Sequence, residues 1–154
     1  MTATGRLLGV DYGTVRVGLA ISDPDRKIAF PLTTYTRRDR DADAAWFREL
    51  IERESVSALV VGLPVHSTGH EGQKAGEARR YGDWLAKVTG QAVTYYDERF
   101  TTVLAESALW EAGLTHKQRK ARRDRVAAQM LLQAYLDAGC PEVTTPGPLG
   151  DENG

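Results

Sequence analysis

The stretch Arg6-Leu-Leu-Gly-Val-Asp-Tyr-Gly-Thr-Val-Arg-Val-Gly-Leu-Ala-Ile-Ser22 reads as two strands joined by a turn at Tyr12-Gly13-Thr14. In its second half Val15, Val17, Leu19 and Ile21 alternate with Arg16, Gly18, Ala20 and Ser22. That two-residue period predicts a hairpin with one buried face. Asp23-Pro24-Asp25 is a turn signal, and Ile28 to Tyr35 can return as a third strand. Pro31 lacks an N–H, which suits that strand to a sheet edge.

Outward from the hairpin the period changes. Asp41 can cap a helix whose Trp46, Phe47, Leu50 and Ile51 form one apolar stripe before Ser55. Ser57 to Leu63 is a continuous apolar run closed by Pro64, the pattern of a parallel strand buried on both faces. A Gly-containing loop from His66 to Gly72 leads to a helix with Ala75, Ala78, Leu85 and Val88 on one face, stopped by Gly90. Ala92 to Tyr96 is a short strand, and Thr101 or Thr102 can cap a helix that runs through Trp110 to Gly113. Thr115 and Gln118 have capping-box spacing, and Val126 to Ala138 is amphipathic at helical period. The order β-β-β-α-β-α-β-α-α predicts an α/β fold: a five-stranded mixed sheet, three strands antiparallel and then two parallel, flanked by helices. Residues 1–142 are expected to form one domain, and 143–154, rich in Gly and Pro, a frayed tail.

Composition narrows the function classes. In 154 residues, 20 Lys and Arg against 21 Asp and Glu leave a net charge of −1, which is weak evidence against a generic polyanion binder. A chain of this length can bury about 68–70% of its unfolded surface, so its core needs no disulfide or structural metal. The single Cys, Cys140, gives no sign of an oxidising compartment. The apolar residues before Asp11 are too few for a signal peptide, and Ala58 to Leu63 falls far below the ~20 residues of a membrane span. A cytoplasmic protein without membrane contact is expected. The neutral total hides a basic strip, Lys117, Arg119, Lys120, Arg122, Arg123 and Arg125, so any nucleic-acid surface is local.

Three acids stand out against their surroundings. Asp11 ends an apolar strand, where a carboxylate is costly unless paired or bound to a cation. It reads either as a turn residue bonding the next loop or as a ligand. Asp97-Glu98-Arg99 closes the later parallel strand. Acids there can favour the following helix N-terminus, or can sit where α/β sheets place ligands, at the carboxyl ends of strands. Asp124 lies on the apolar stripe of Ala127, Ala128 and Leu131, so it either pairs with a nearby Arg or serves a site at the sheet. The strip around it opposes the helix macrodipole, which a phosphate partner would explain. Carboxylates from two strands and a helix meeting at one sheet end suit Mg²⁺ or Mn²⁺ and phosphodiester hydrolysis.

With these motifs in order, the chain resembles the YqgF/RuvX family of the RNase H-like superfamily, whose members are described as pre-16S rRNA nucleases or Holliday-junction-resolvase-like proteins. The resemblance runs from about Leu7 to Ala138. It is carried by Leu8-Gly-Val-Asp-Tyr-Gly-Thr-Val-Arg-Val-Gly-Leu-Ala-Ile-Ser-Asp23, Val60-Val-Gly-Leu-Pro64, Asp97-Glu-Arg-Phe-Thr-Thr102 and Asp124-Arg-Val-Ala-Ala128 before Leu131-Leu132-Gln133. It implies that Asp11, Glu98 and Asp124 are the catalytic, metal-binding acids. Relative to other resolvases of the superfamily, the strand ending Gly62-Leu63-Pro64 carries no acid. The second carboxylate moves one strand further out, about 10 Å from the first strand's axis. Asp97 is the competing ligand if the strand's twist turns it inward.

Arg16 and Arg99 can hold phosphate oxygens or pair with Asp11 or Asp97, and Lys117, Arg119, Lys120, Arg122 and Arg123 are the expected nucleic-acid contacts. The expected substrate is structured RNA or branched DNA, and a two-fold junction would favour a homodimer. His66 and His70 flank a glycine in a loop and make no helical zinc pair; Tyr95 and Tyr96 are ordinary strand residues before they are base-stacking ones. Two other classes remain: a phosphate-binding Asp-Tyr-Gly-Thr turn of an actin-like ATPase, for which the second half and a Gly-x-x-x-x-Gly-Lys loop are missing, and a nucleic-acid-binding module without catalysis.

Overall fold

The computed structural model describes residues 5–64, 72–97 and 115–141. Five strands, β1 (Arg6–Asp11), β2 (Arg16–Ser22), β3 (Ala29–Thr36), β4 (Val56–Leu63) and β5 (Ala92–Asp97), form one sheet in the order β3-β2-β1-β4-β5. β1 pairs antiparallel with β2 and β2 with β3, whereas β1–β4 and β4–β5 are parallel. The expected mixed sheet is therefore the observed one. Three helices are described, α1 (Arg40–Glu54), α2 (Gln73–Thr89) and α3 (His116–Asp137). The helix expected between Thr101 and Trp110, the loop from His66 to Glu71 and the tail from 143 onward lie outside the described residues.

The sheet separates two cores. On one face Leu8, Val10, Val17, Leu19, Leu59 and Val61 pack with Phe47 and Leu50 of α1 and Leu85 of α2. On the other, Leu7, Ala20 and Val60 meet Ala128, Leu132 and Tyr135 of α3. This corrects the reading of the hairpin as buried on one face only: in β2 every residue from Val17 to Ser22 is buried. The small residues Gly18 and Ala20, which look like a solvent face in the alternation, are the surface on which α3 lies. Val15, the first member of the alternating set, is instead exposed and precedes β2.

β3 is the edge strand that Pro31 predicts. Its register with β2 shifts between Leu19 and Ala20, where Thr33 and Pro31 are the partners and Leu32 is the extra residue of a bulge. Amides of α3 bind its first residue: the Ala29 N–H donates to Gln133 Oε1 (2.8 Å) and Gln129 Nε2 donates to the Ala29 carbonyl (3.1 Å). Helix ends follow local chemistry. Asp39, rather than Asp41, caps α1, its side chain accepting the Ala42 N–H at 2.8 Å, and Asp41 falls in the first turn. Thr115 and Gln118 make the expected capping box at the start of α3. The basic strip and the amphipathic segment are thus one continuous 22-residue helix. Among the described residues no helix is long and apolar enough to cross a membrane.

Candidate active site

Asp11 is the last residue of β1 and the register partner of Gly18. Successive strand side chains alternate between faces. Leu8 and Val10 belong to the α1/α2 core, while Leu7 packs against α3 and Gly9 lies beneath Leu132 and Ala128. The same alternation puts Asp11 on the α3 face.

Gly18 brings the second acid there. A Cβ on Gly18 would fall 1.9 Å from the carbonyl oxygen of Asp124 and 3.0 Å from its Cα. The backbone of α3 therefore rests directly on the bare glycine opposite Asp11, a contact no side chain permits. Arg16, at the start of β2, fixes the Asp124 carboxylate, its Nε donating to Oδ2 at 2.9 Å. This ion pair is charge-assisted and only about a quarter exposed, at 28% and 23% for the two side chains. Of the alternatives open for Asp124, the structure contains both: an arginine partner, and a position at the sheet end. The partner, Arg16, comes from strand β2, not from Arg122, Arg123 or Arg125 of the same helix.

The remaining sequence candidates divide. Glu98 and Arg99 lie outside the described residues. Asp97 is the register partner of Leu63, and alternation sets it with Val93 and Tyr95 on the α1/α2 face, opposite Asp11. The inward turn that would make it the competing ligand is not the one β5 takes. Gly62, the residue of β4 alongside Asp11, has no carboxylate to offer, as the sequence indicates. Lys117, Arg119 and Lys120 are exposed in the first two turns of α3; Arg123 is exposed, and Arg122 and Arg125 are half-buried. Lys117 and Lys120 precede Asp124 by seven and four residues and so share its helical stripe, whereas Arg119 and Arg123 project elsewhere.

Among the described residues no group of three or more His, Cys, Asp or Glu forms a metal cluster. The donor chemistry still fits a hard cation: Mg²⁺ is typically held by one or two carboxylates, with water and phosphate oxygens completing the octahedron. Asp11 and Asp124 provide two, and Asp124 Oδ1 accepts no hydrogen bond among the described residues. On the far face of the sheet, Tyr12, Arg37 and Tyr81 border a cavity that no linear pattern announces. The only sequence signals are the pairs Arg37-Arg38 and Arg79-Arg80, on segments that meet in three dimensions.

Comparisons with known proteins identify the family and the fold. The RuvX family profile, described as Holliday junction resolvase, matches residues 5–138. A protein of Rhodopirellula baltica named "Putative pre-16S rRNA nuclease" is 46% identical over 136 residues, covering 88% of this chain and 79% of its own. One of the same name from Moorella thermoacetica is 43% identical over 132 residues, covering 86% and 94%. Among solved structures, Thermus thermophilus RuvC in complex with a Holliday junction substrate superimposes with a TM-score of 0.53 at 16% identity, covering 89% of this chain and 98% of that one. This last likeness is one of fold. From β1, with its terminal Asp11, to α3, seated on Gly18, the chain belongs to the RuvX family of nucleases with an RNase H-like, RuvC-type fold.

Proposed function

We infer that this protein is a divalent-metal-dependent endonuclease that hydrolyses phosphodiester bonds in the 5′-end processing of pre-16S rRNA, in the cytoplasm. One observation carries the reading: the α3 backbone at Asp124 sits on Gly18, the register partner of Asp11, so two acids far apart in sequence share one end of the sheet. The names of the RuvX relatives supply the substrate.

Asp11 and Asp124, with Glu98 as the third acid the family resemblance implies, are the residues that would hold Mg²⁺ or Mn²⁺. When bound, such an ion lowers the pKa of water and offsets the charge that builds on the phosphodiester oxygens. Arg16 orients the Asp124 carboxylate through Oδ2, leaving Oδ1 available. Lys117 and Lys120, on the Asp124 stripe, bring the backbone of the nucleic acid to the acids by charge. Phosphate contacts of this kind position a strand without reading its bases, which fits recognition by shape.

Branched DNA is the second reading, favoured by the resolvase description of the family profile. A two-fold symmetric junction would call for a homodimer. Side-by-side digestion of a precursor rRNA end and a four-way DNA junction, with wild type and Asp11→Asn, tests both. Cleavage of the rRNA end that is lost in Asp11→Asn supports the primary reading. Cleavage of the junction alone transfers the site to DNA, and cleavage of either that survives Asp11→Asn refutes the catalytic assignment.

A further inference from the structure

Tyr12 follows Asp11 directly, but alternation sends it to the other face of the sheet, where it forms a wall of a cavity of about 300 Å³ beneath the β1–β2 turn. The cavity is bordered by α1 and α2, opens to solvent, and has an aromatic side and a cationic side. Tyr12 and Tyr81 lie with ring centroids 5.1 Å apart, and Tyr81 and Trp84 at 5.6 Å. Arg37, Arg40 and Arg80 reach the same space, and among the described residues none of them is in an ion pair.

The three guanidinium groups differ in what they already do. Arg37 is structural: it lies 4.9 Å above the Tyr81 ring and 5.4 Å above that of Tyr12, and its Nη1 donates to the carbonyls of Gly13 (3.1 Å) and Thr14 (3.2 Å). It holds the turn next to Asp11. Arg40, at the start of α1, and Arg80, in mid α2, make no such bonds among the described residues and are exposed at the rim. Asp43 and Glu77 also line the cavity, so three guanidinium groups face two carboxylates there. Asp43 is buried, its Oδ1 accepting the Tyr35 hydroxyl (2.6 Å) and the Arg38 N–H (2.9 Å), and Glu77 accepts from Gln73 Nε2 at 3.4 Å and the Tyr12 hydroxyl at 3.5 Å.

Tyr81 supplies an independent observation. It is only 6% exposed, and its hydroxyl is the one buried side-chain polar atom without a hydrogen-bond partner among the described residues. Burying an unbonded hydroxyl is unfavourable, and this one, shut off from solvent, gains a partner when a ligand entering beside it displaces its neighbours slightly. Here it belongs to a residue lining a cavity with a cationic rim.

We propose that this cavity is a nucleoside-phosphate site: the base stacks against the Tyr12–Trp84 wall, Arg40 and Arg80 hold the phosphate, and the Tyr81 hydroxyl bonds to the ligand. Aromatic faces accept any base, and paired arginines match phosphate oxygens. The volume is at the small end for ligand sites, which suits one nucleotide rather than two. The ligand can be a free nucleotide or the 5′-phosphorylated end of a strand. The inference does not depend on the cleavage reading, because the site lies on the opposite face from Asp11 and Asp124.

The test is titration calorimetry on the full chain in EDTA, so that hydrolysis is silent. The probes are AMP, GMP, adenosine, inorganic phosphate, and a trinucleotide RNA with and without a 5′-phosphate. AMP or GMP is expected to bind saturably, with adenosine and inorganic phosphate each at least about tenfold weaker. A free-nucleotide site binds AMP or GMP but not the trinucleotide; a strand-end site binds the 5′-phosphorylated trinucleotide at least as well. Arg40→Ala with Arg80→Ala should weaken binding by about tenfold or more, and Tyr81→Phe should weaken it while leaving the melting temperature unchanged or higher. No saturable binding of any phosphorylated probe, or binding indifferent to both the arginine pair and Tyr81→Phe, overturns the proposal.

Discussion

Gly18 does more for the candidate site than any charged residue, because it lets the α3 backbone come within van der Waals reach of the strand beside Asp11. A methyl group there would overlap the Asp124 carbonyl, so Gly18→Ala must push α3 away. We expect a loss of about 1–3 kcal/mol in urea unfolding, together with loss of cleavage at unchanged Asp11 and Asp124. Asp11→Asn and Asp124→Asn should each reduce Mn²⁺ affinity by on the order of a hundredfold or more while leaving far-UV circular dichroism unchanged, readable by calorimetry. Both acids were legible in the sequence, since each interrupts an apolar pattern where an unpaired carboxylate is unfavourable. The Arg16–Asp124 pair was not. Arg122, Arg123 and Arg125 are the nearer cations in sequence, and only the crossing of α3 over β2 brings Arg16 to 2.9 Å.

At the scale of elements, α3 has two jobs in one helix. Its C-terminal half packs Ala128, Leu131, Leu132 and Tyr135 against the sheet, and its first turns carry exposed cations beyond it. The capping box at Thr115 and Gln118 compensates locally for a first turn whose charges oppose the macrodipole. Helical position predicts unequal roles within the strip. Lys117→Ala with Lys120→Ala should weaken substrate binding and lower the slope of log affinity against log salt by about 2, with the maximal rate little changed. Arg119→Ala with Arg123→Ala, off the Asp124 stripe, should change both less. A filter-binding salt series with saturating kinetics compares the two pairs. The order of elements and the mixed sheet were readable from period and turn chemistry, but the burial of β2 on both faces was not: Gly18 and Ala20 look polar-side in an alternating strand, and only a helix laid across them explains their size.

For the molecule as a whole, the two sides of the sheet have different chemistry: carboxylates under α3, and a cationic, aromatic cavity under α1 and α2. The second side also sets the behaviour in alkali. Burial pushes up the phenols of Tyr35, Tyr81 and Tyr95, reinforced at Tyr35 by its bond to Asp43 and at Tyr95 by Asp83. Their contribution to stability is present below the ordinary tyrosine value of 10.0 and is lost as pH rises above it, because the unfolded chain ionises there while the native one resists. Phenolate absorbance should therefore rise in two stages, the second coincident with unfolding seen by circular dichroism. That cavity was scarcely visible in the sequence, because its residues come from the β1–β2 turn, the segment after β3 and two helices, with no shared period. The central claim, that Asp11 and Asp124 converge on one hard cation, is tested most directly by a crystal soaked in Mn²⁺ and measured at the manganese edge. The account predicts an anomalous peak within direct coordination distance of a carboxylate oxygen of each residue, absent in Asp11→Asn crystals; a Mn²⁺ site elsewhere in an enzyme that still cleaves would contradict it.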